Sequence, residues 1–139
     1  MSKLSGACHC GNIQIEMKLS EVSSSYQPRA CDCDFCLKQN ISYISDPKGD
    51  LSFLVNAKHL GKYRQGSETA EFLFCKNCSF VVGVVYAESG KLFGAVNSQV
   101  MKATFGEKVS ASPKKLSAPE KTTRWKQVWF SNVSLKEQE

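Results

Sequence analysis

All seven cysteines of this chain fall into three tight clusters: Cys8-His9-Cys10, Cys31-Asp32-Cys33 with Cys36 beyond, and Cys75-Lys76-Asn77-Cys78. That spacing suits thiolate ligands of a metal. A closed structural zinc takes four protein ligands, whereas a catalytic zinc takes three and leaves a fourth position for water or substrate. Seven divides as four plus three. The pairs Cys8/Cys10 and Cys75/Cys78 would close one tetrahedral site, and Cys31, Cys33 and Cys36 would form a second, three-thiolate site with one position open. Any fold compatible with this must bring together segments more than sixty residues apart.

Disulfides fit poorly, because an odd count leaves one thiol over and cysteines this close in sequence rarely reach bridging geometry. The start of the chain has no long apolar run, so neither a secretory signal nor a membrane anchor is expected, and a reducing cytoplasm, or the nucleus, follows. The formal charge of +5 invites a nucleic-acid reading, but it counts every cysteine as neutral. Metal-bound thiols are deprotonated, and seven thiolates with two zinc ions would bring the charge down to +2. The lysines are scattered rather than striped, so a nucleic-acid partner is not expected.

Period-two alternation dominates the rest of the chain. From Asn12 to Leu19, Ile13, Ile15, Met17 and Leu19 face one way while Gln14, Glu16 and Lys18 face the other, which predicts a half-buried strand. Further strands are predicted at Ile41 to Ser45, Leu51 to Val55, Ala70 to Phe74, Phe80 to Tyr86, Leu92 to Val96 and Thr123 to Phe130. Turn-forming stretches such as Asp46-Pro47-Lys48-Gly49 and Glu88-Ser89-Gly90-Lys91 separate them. No segment shows a helical period. Residues 109–121, with the Ala/Ser/Pro/Lys stretch Ser110 to Lys121, predict a loop, after which Trp125, Val128, Trp129 and Phe130 return to the core. The expectation is one all-β domain over residues 1–139, clipped by metal.

Three thiolates on a zinc leave a Lewis-acidic position for water, a carbonyl oxygen or a thiol, which suits the meeting of a sulfur nucleophile with an aldehyde. The alternative is a fourth protein ligand, with His9, His59, Asp32 and Asp34 as the candidates. Spacing alone leaves that choice open.

The runs Gly6-Ala7-Cys8-His9-Cys10-Gly11-Asn12-Ile13, Cys31-Asp32-Cys33-Asp34-Phe35-Cys36 and Phe74-Cys75-Lys76-Asn77-Cys78 resemble, in order, the signatures of the glutathione-dependent formaldehyde-activating enzyme family, which includes the centromere-protein-V-like proteins. The resemblance implies a β-tent (Mss4-like) fold of several short antiparallel strands, and two zinc ions. Cys8, Cys10, Cys75 and Cys78 would hold the structural zinc, and Cys31, Cys33 and Cys36 the second, reactive one. It further implies carbon–sulfur lyase chemistry on a thiol/aldehyde adduct such as S-hydroxymethylglutathione, with a small thiol such as glutathione and a small aldehyde as partners. Two positions depart from the family pattern. Ser79 stands where glycine is usual, at a turn that would call for a positive φ, and Asp34, where a small hydroxyl residue is more common, reads best as a loop cap.

The remaining candidates have plain readings. His9 should point away from a metal held by its neighbours, His59 is a loop histidine, and Lys38 and Gln39 are either contacts for an anionic substrate or solvated side chains. Phe72, Phe74, Trp125 and Trp129 read as core. Besides the enzyme, two other classes of function fit the clusters: a non-catalytic, zinc-stabilised binding module, and a thiol-based metal store or redox sensor, which would need exposed, exchangeable thiolates.

Overall fold

The alternating run after the first cysteine pair forms the centre of a small sheet. In the computed structural model, which describes residues 2–64, 69–111 and 116–138, β1 (Ser2–Ala7) and β2 (Ile13–Leu19) make an antiparallel hairpin, and β2 continues antiparallel onto β5 (Asp50–Asn56). Every second residue of β2 is buried, and Leu51, Phe53 and Val55 of β5 do the same in register beside them. The edge is completed by β11 (Asn132–Gln138), which lies parallel to β5.

The other strands form a seven-stranded sheet. Its elements are β3 (Arg29–Cys31), β4 (Ser42–Ile44), β6 (Leu60–Tyr63), β7 (Glu71–Cys75), β8 (Val81–Glu88), β9 (Lys91–Asn97) and β10 (Val109–Ala111), in the order β10-β3-β4-β9-β8-β7-β6. All neighbours are antiparallel except β10 on β3. The run Val81 to Tyr86 in β8 is buried without a break, because both faces of this sheet are covered. One face meets the small sheet around Phe53, Leu73, Val82, Val96 and Phe130. The opposite face carries a second cluster around Tyr43, Phe72, Val84, Phe93 and Trp129. Phe130 is held in place by paired backbone hydrogen bonds with Gly94 (2.8 and 3.1 Å).

The all-β expectation holds, with corrections in detail. Thr123 to Phe130 is not a strand: α2 spans Ala118–Val128, and a second, short helix, α1, spans Asp34–Gln39. Of the expected loop at 109–121, the first residues form β10 and the last ones open α2, while residues 112–115 lie outside the described residues. Two strand pairs are parallel where only antiparallel pairing was expected. The helical ends have ordinary causes. In α2, Ser117 Oγ accepts from the Glu120 amide while the Glu120 carboxylate accepts from the Ser117 amide (2.9 Å), a capping box with Pro119 in the first turn. Lys126 Nζ of α2 pairs with Glu88 Oε2 at 2.9 Å, tying the helix to the β8–β9 hairpin.

Candidate metal centres

The hairpin β1–β2 and the hairpin β7–β8 meet at their turns. Gly11, at φ +86°, lets the first turn close, with its amide on the Cys8 carbonyl at 3.1 Å. The buried Cys8 sulfur accepts from the Ile13 amide at 3.3 Å. In the second turn the Ser79 amide bonds the Cys75 carbonyl at 2.7 Å, and Ser79 adopts φ +66°, the left-handed conformation expected where the family pattern has glycine.

These turns bring the Cys8, Cys10, Cys75 and Cys78 sulfurs within 4.8 Å of one another, with Cys10 Sγ 3.5 Å from Cys75 Sγ and 3.8 Å from Cys8 Sγ. A tetrahedron with zinc–sulfur bonds of about 2.3 Å has sulfur–sulfur edges of about 3.8 Å. The donor set therefore fits a tetrahedral thiophilic ion. Its protonation fits too. Hydrogen bonds from the Asn77 side chain and the Asn12 backbone lower the Cys10 thiol to about 6, whereas burial pushes Cys75 up to about 12. Burial also opposes ionisation of Cys78, but the Phe80 and Cys10 amides outweigh it and lower the thiol. Crowded sulfurs without a counter-charge cannot all ionise, and a divalent cation removes that conflict.

The second cluster is more local. Cys31 ends β3, Cys33 is the N-cap of α1, its sulfur accepting from the Cys36 amide at 3.5 Å, and Cys36 sits buried in the helix's first turn. Their three sulfurs also lie within 4.8 Å of one another. No histidine, aspartate or glutamate among the described residues places a ligand atom within 4.8 Å of all three. His9 is exposed in the first turn, and His59 lies in the β5–β6 connection, where its carbonyl takes the Lys76 amide at 2.7 Å. Asp34 is not a loop cap: it is the first helical residue of α1, exposed and paired with Lys38 at 3.6 Å. Lys38 and Gln39 are exposed.

Within this triad the protons are shared unequally. The hydrogen bond from Cys36 lowers Cys31 to about 6, burial raises Cys33, and the Cys31 contact followed by burial raises Cys36 strongly. The Tyr43 hydroxyl lies 3.2 Å from Cys36 Sγ, within hydrogen-bond reach, and burial raises the phenol, which keeps its proton. The triad opens into a cavity of about 110 Å³ between the large sheet and α2. Its lining includes the apolar Phe72, Val84 and Trp125 and the basic Arg29, Lys121 and Arg124.

A family model for the glutathione-dependent formaldehyde-activating enzyme matches residues 3–119. The chain belongs to that family. Among solved structures, a crystal structure of a Rhodobacter sphaeroides protein superposes with a TM-score of 0.60 at 25% identity, covering 77% of this chain and 99% of that one. The formaldehyde-activating family carries glutathione-dependent chemistry, and in this member both cysteine clusters could hold metal ions. No helix among the described residues is long and apolar enough to cross a membrane.

The cysteine grouping read from sequence is the grouping of sulfurs in space. The residues that surround the triad were missed. Arg29 carried a signal, because it precedes Cys31 by two residues and so shares its strand face. Tyr43 could be found only from the register that sets it opposite Arg29. Arg124 and Trp125 lie on the helix misread as a strand, just past the segment matched to the formaldehyde-activating family.

Proposed function

We propose that this protein is a two-zinc enzyme of thiol–aldehyde chemistry, acting as a carbon–sulfur lyase on an adduct such as S-hydroxymethylglutathione. Cys8, Cys10, Cys75 and Cys78 would hold a structural zinc, and Cys31, Cys33 and Cys36 a second one. The observation that carries the reading is the three-sulfur cluster opening into a cavity with no fourth histidine or carboxylate ligand among the described residues.

A zinc ion held by the triad supplies a Lewis-acidic fourth position, where a thiol or a carbonyl can be bound and polarised. The chain's own groups do the rest. Tyr43 holds the Cys36 sulfur by its hydroxyl, fixing one corner of the triad. The α1 amide of Cys36 does the same for Cys33. Phe72, Val84 and Trp125 give the cavity an apolar lining beside the triad. The reaction is an addition and its reverse: a carbon–sulfur bond forms or breaks, the thiol proton moves to or from the carbonyl oxygen, and no electrons are exchanged with an outside partner.

Metal analysis with X-ray absorption of the zinc-loaded protein, before and after adding glutathione, tests the reading. Two zincs are expected, one in an S4 shell and one in an S3(O/N) shell that becomes S4 with glutathione. Cys33→Ser should abolish the glutathione response and leave the S4 zinc in place. Two closed shells indifferent to thiol would overturn the proposal.

A further inference from the structure

The cavity beside the triad holds more positive charge than the protein itself uses. Arg29 Nη2 donates to Ser45 Oγ at 2.6 Å, and Ser45 Oγ donates to the Val128 carbonyl at the end of α2, also at 2.6 Å. That relay fixes the guanidinium at the cavity wall and spends one of its five N–H donors. Neither Arg29, Arg124 nor Lys121 has a carboxylate partner among the described residues. Arg29, on β3, and Arg124, on α2, line the same cavity from two elements. Two unpaired guanidinium groups facing one partly buried space repel, and an anion between them relieves the repulsion.

The triad cannot account for these charges. With a divalent ion, three thiolates leave one negative charge, against three cations lining the same cavity. The helix pattern points the same way. The residues of α2 that line the cavity are Lys121, Arg124, Trp125 and Val128, spaced i, i+3, i+4 and i+7. Such a stripe ordinarily packs apolar side chains inward, and here two of its four members are cations.

We propose that the ligand of this centre is a small organic anion, its carboxylate held by Arg29 and Arg124, its apolar portion against Phe72, Val84 and Trp125, and its reacting sulfur or carbonyl at the cysteine triad. Arg29 and Arg124 are thus specificity-determining residues. The inference rests on the thiol–aldehyde reading for the reacting group, but charge recognition is separable from it.

The test uses two matched pairs of probes on the zinc-loaded full chain. One pair is 3-mercaptopropionate against 3-mercaptopropanol, and the other is 3-phenylpropionate against 3-phenylpropanamide, which carries no thiol. Binding is read from the fluorescence of Trp125 and Trp129, which stack with centroids 4.8 Å apart at the cavity. Each carboxylate should bind about tenfold more tightly than its neutral partner, as expected for a charge-assisted hydrogen-bonded pair. Arg124→Met and Arg29→Met should each erase that preference while the neutral probes bind as before, which also shows that the cavity is still folded. Equal binding of charged and neutral probes, or a preference untouched by both substitutions, would overturn the inference. If thiols of either charge bind equally, the thiol reading stands and the anion inference falls. If only the thiol-free carboxylate binds selectively, the anion site stands and the thiol reading falls. Binding of no probe at all would reject both.

Discussion

Ser79 shows how a single position can be legible in a sequence before its geometry is known. It closes the β7–β8 turn at φ +66°, where a side chain with a Cβ costs about 1–2 kcal/mol and glycine costs less. Allowing for the greater freedom glycine gives the unfolded chain, Ser79→Gly should stabilise the metal-loaded protein by about 0.5–1 kcal/mol, measured as a shift in the denaturant midpoint at unchanged slope. A midpoint that stays put or falls would show that the serine is not strained. The cysteines were equally legible, because ligand spacing is a local property that survives without knowledge of the fold. Tyr43 was not, since its contact with Cys36 needs the helical turn of α1, where no helical period was visible. Asp34 was misread for the opposite reason: a residue type common in loops also suits the first turn of a helix, and in α1 it occupies that turn, paired with Lys38.

At the scale of elements, β2 and β5 were legible because each has one face buried and one face wet, so burial prints a period of two on the sequence. β8 kept its strand character through its four valines, Val81, Val82, Val84 and Val85, on either side of Gly83. α2 defeated periodicity because none of its residues is fully buried and its inward stripe mixes lysine and arginine with tryptophan and valine. A hydrophobicity reading sees no stripe there. The cue that remained was chemical: Ser117-Ala118-Pro119-Glu120 is a capping box with an early proline. Ser117→Ala removes the acceptor for the Glu120 amide and should cost the helix about 1 kcal/mol. Hydrogen exchange over the first turns of α2 should speed up by about fivefold, with metal content unchanged; unaltered exchange would mean that the Lys126–Glu88 pair and the stacked tryptophans hold the helix without its cap.

Across the whole molecule, the two cysteine clusters have unequal mechanical roles. The Cys8/Cys10/Cys75/Cys78 site joins a hairpin of the small sheet to a hairpin of the large one, closing a loop of more than sixty residues, while the triad closes only a strand-to-helix turn. Stripping metal with a strong chelator should therefore lower the melting midpoint by about 10 °C or more. Cys78→Ser should reproduce most of that loss and Cys33→Ser only a small part, by calorimetry. Equal losses from the two substitutions would mean that the sheets hold together without the clip. The parallel pairing of β11 with β5 has a consequence for synthesis. More than seventy residues separate these strands, and no hairpin can join parallel neighbours. While the chain is still emerging from a ribosome, β5 carries an open edge with Leu51, Phe53 and Val55 behind it, a template for pairing with another nascent chain. That danger ends when β11 arrives and leaves at the rim the charged Lys136 and Glu137, which a neighbouring strand is slow to approach.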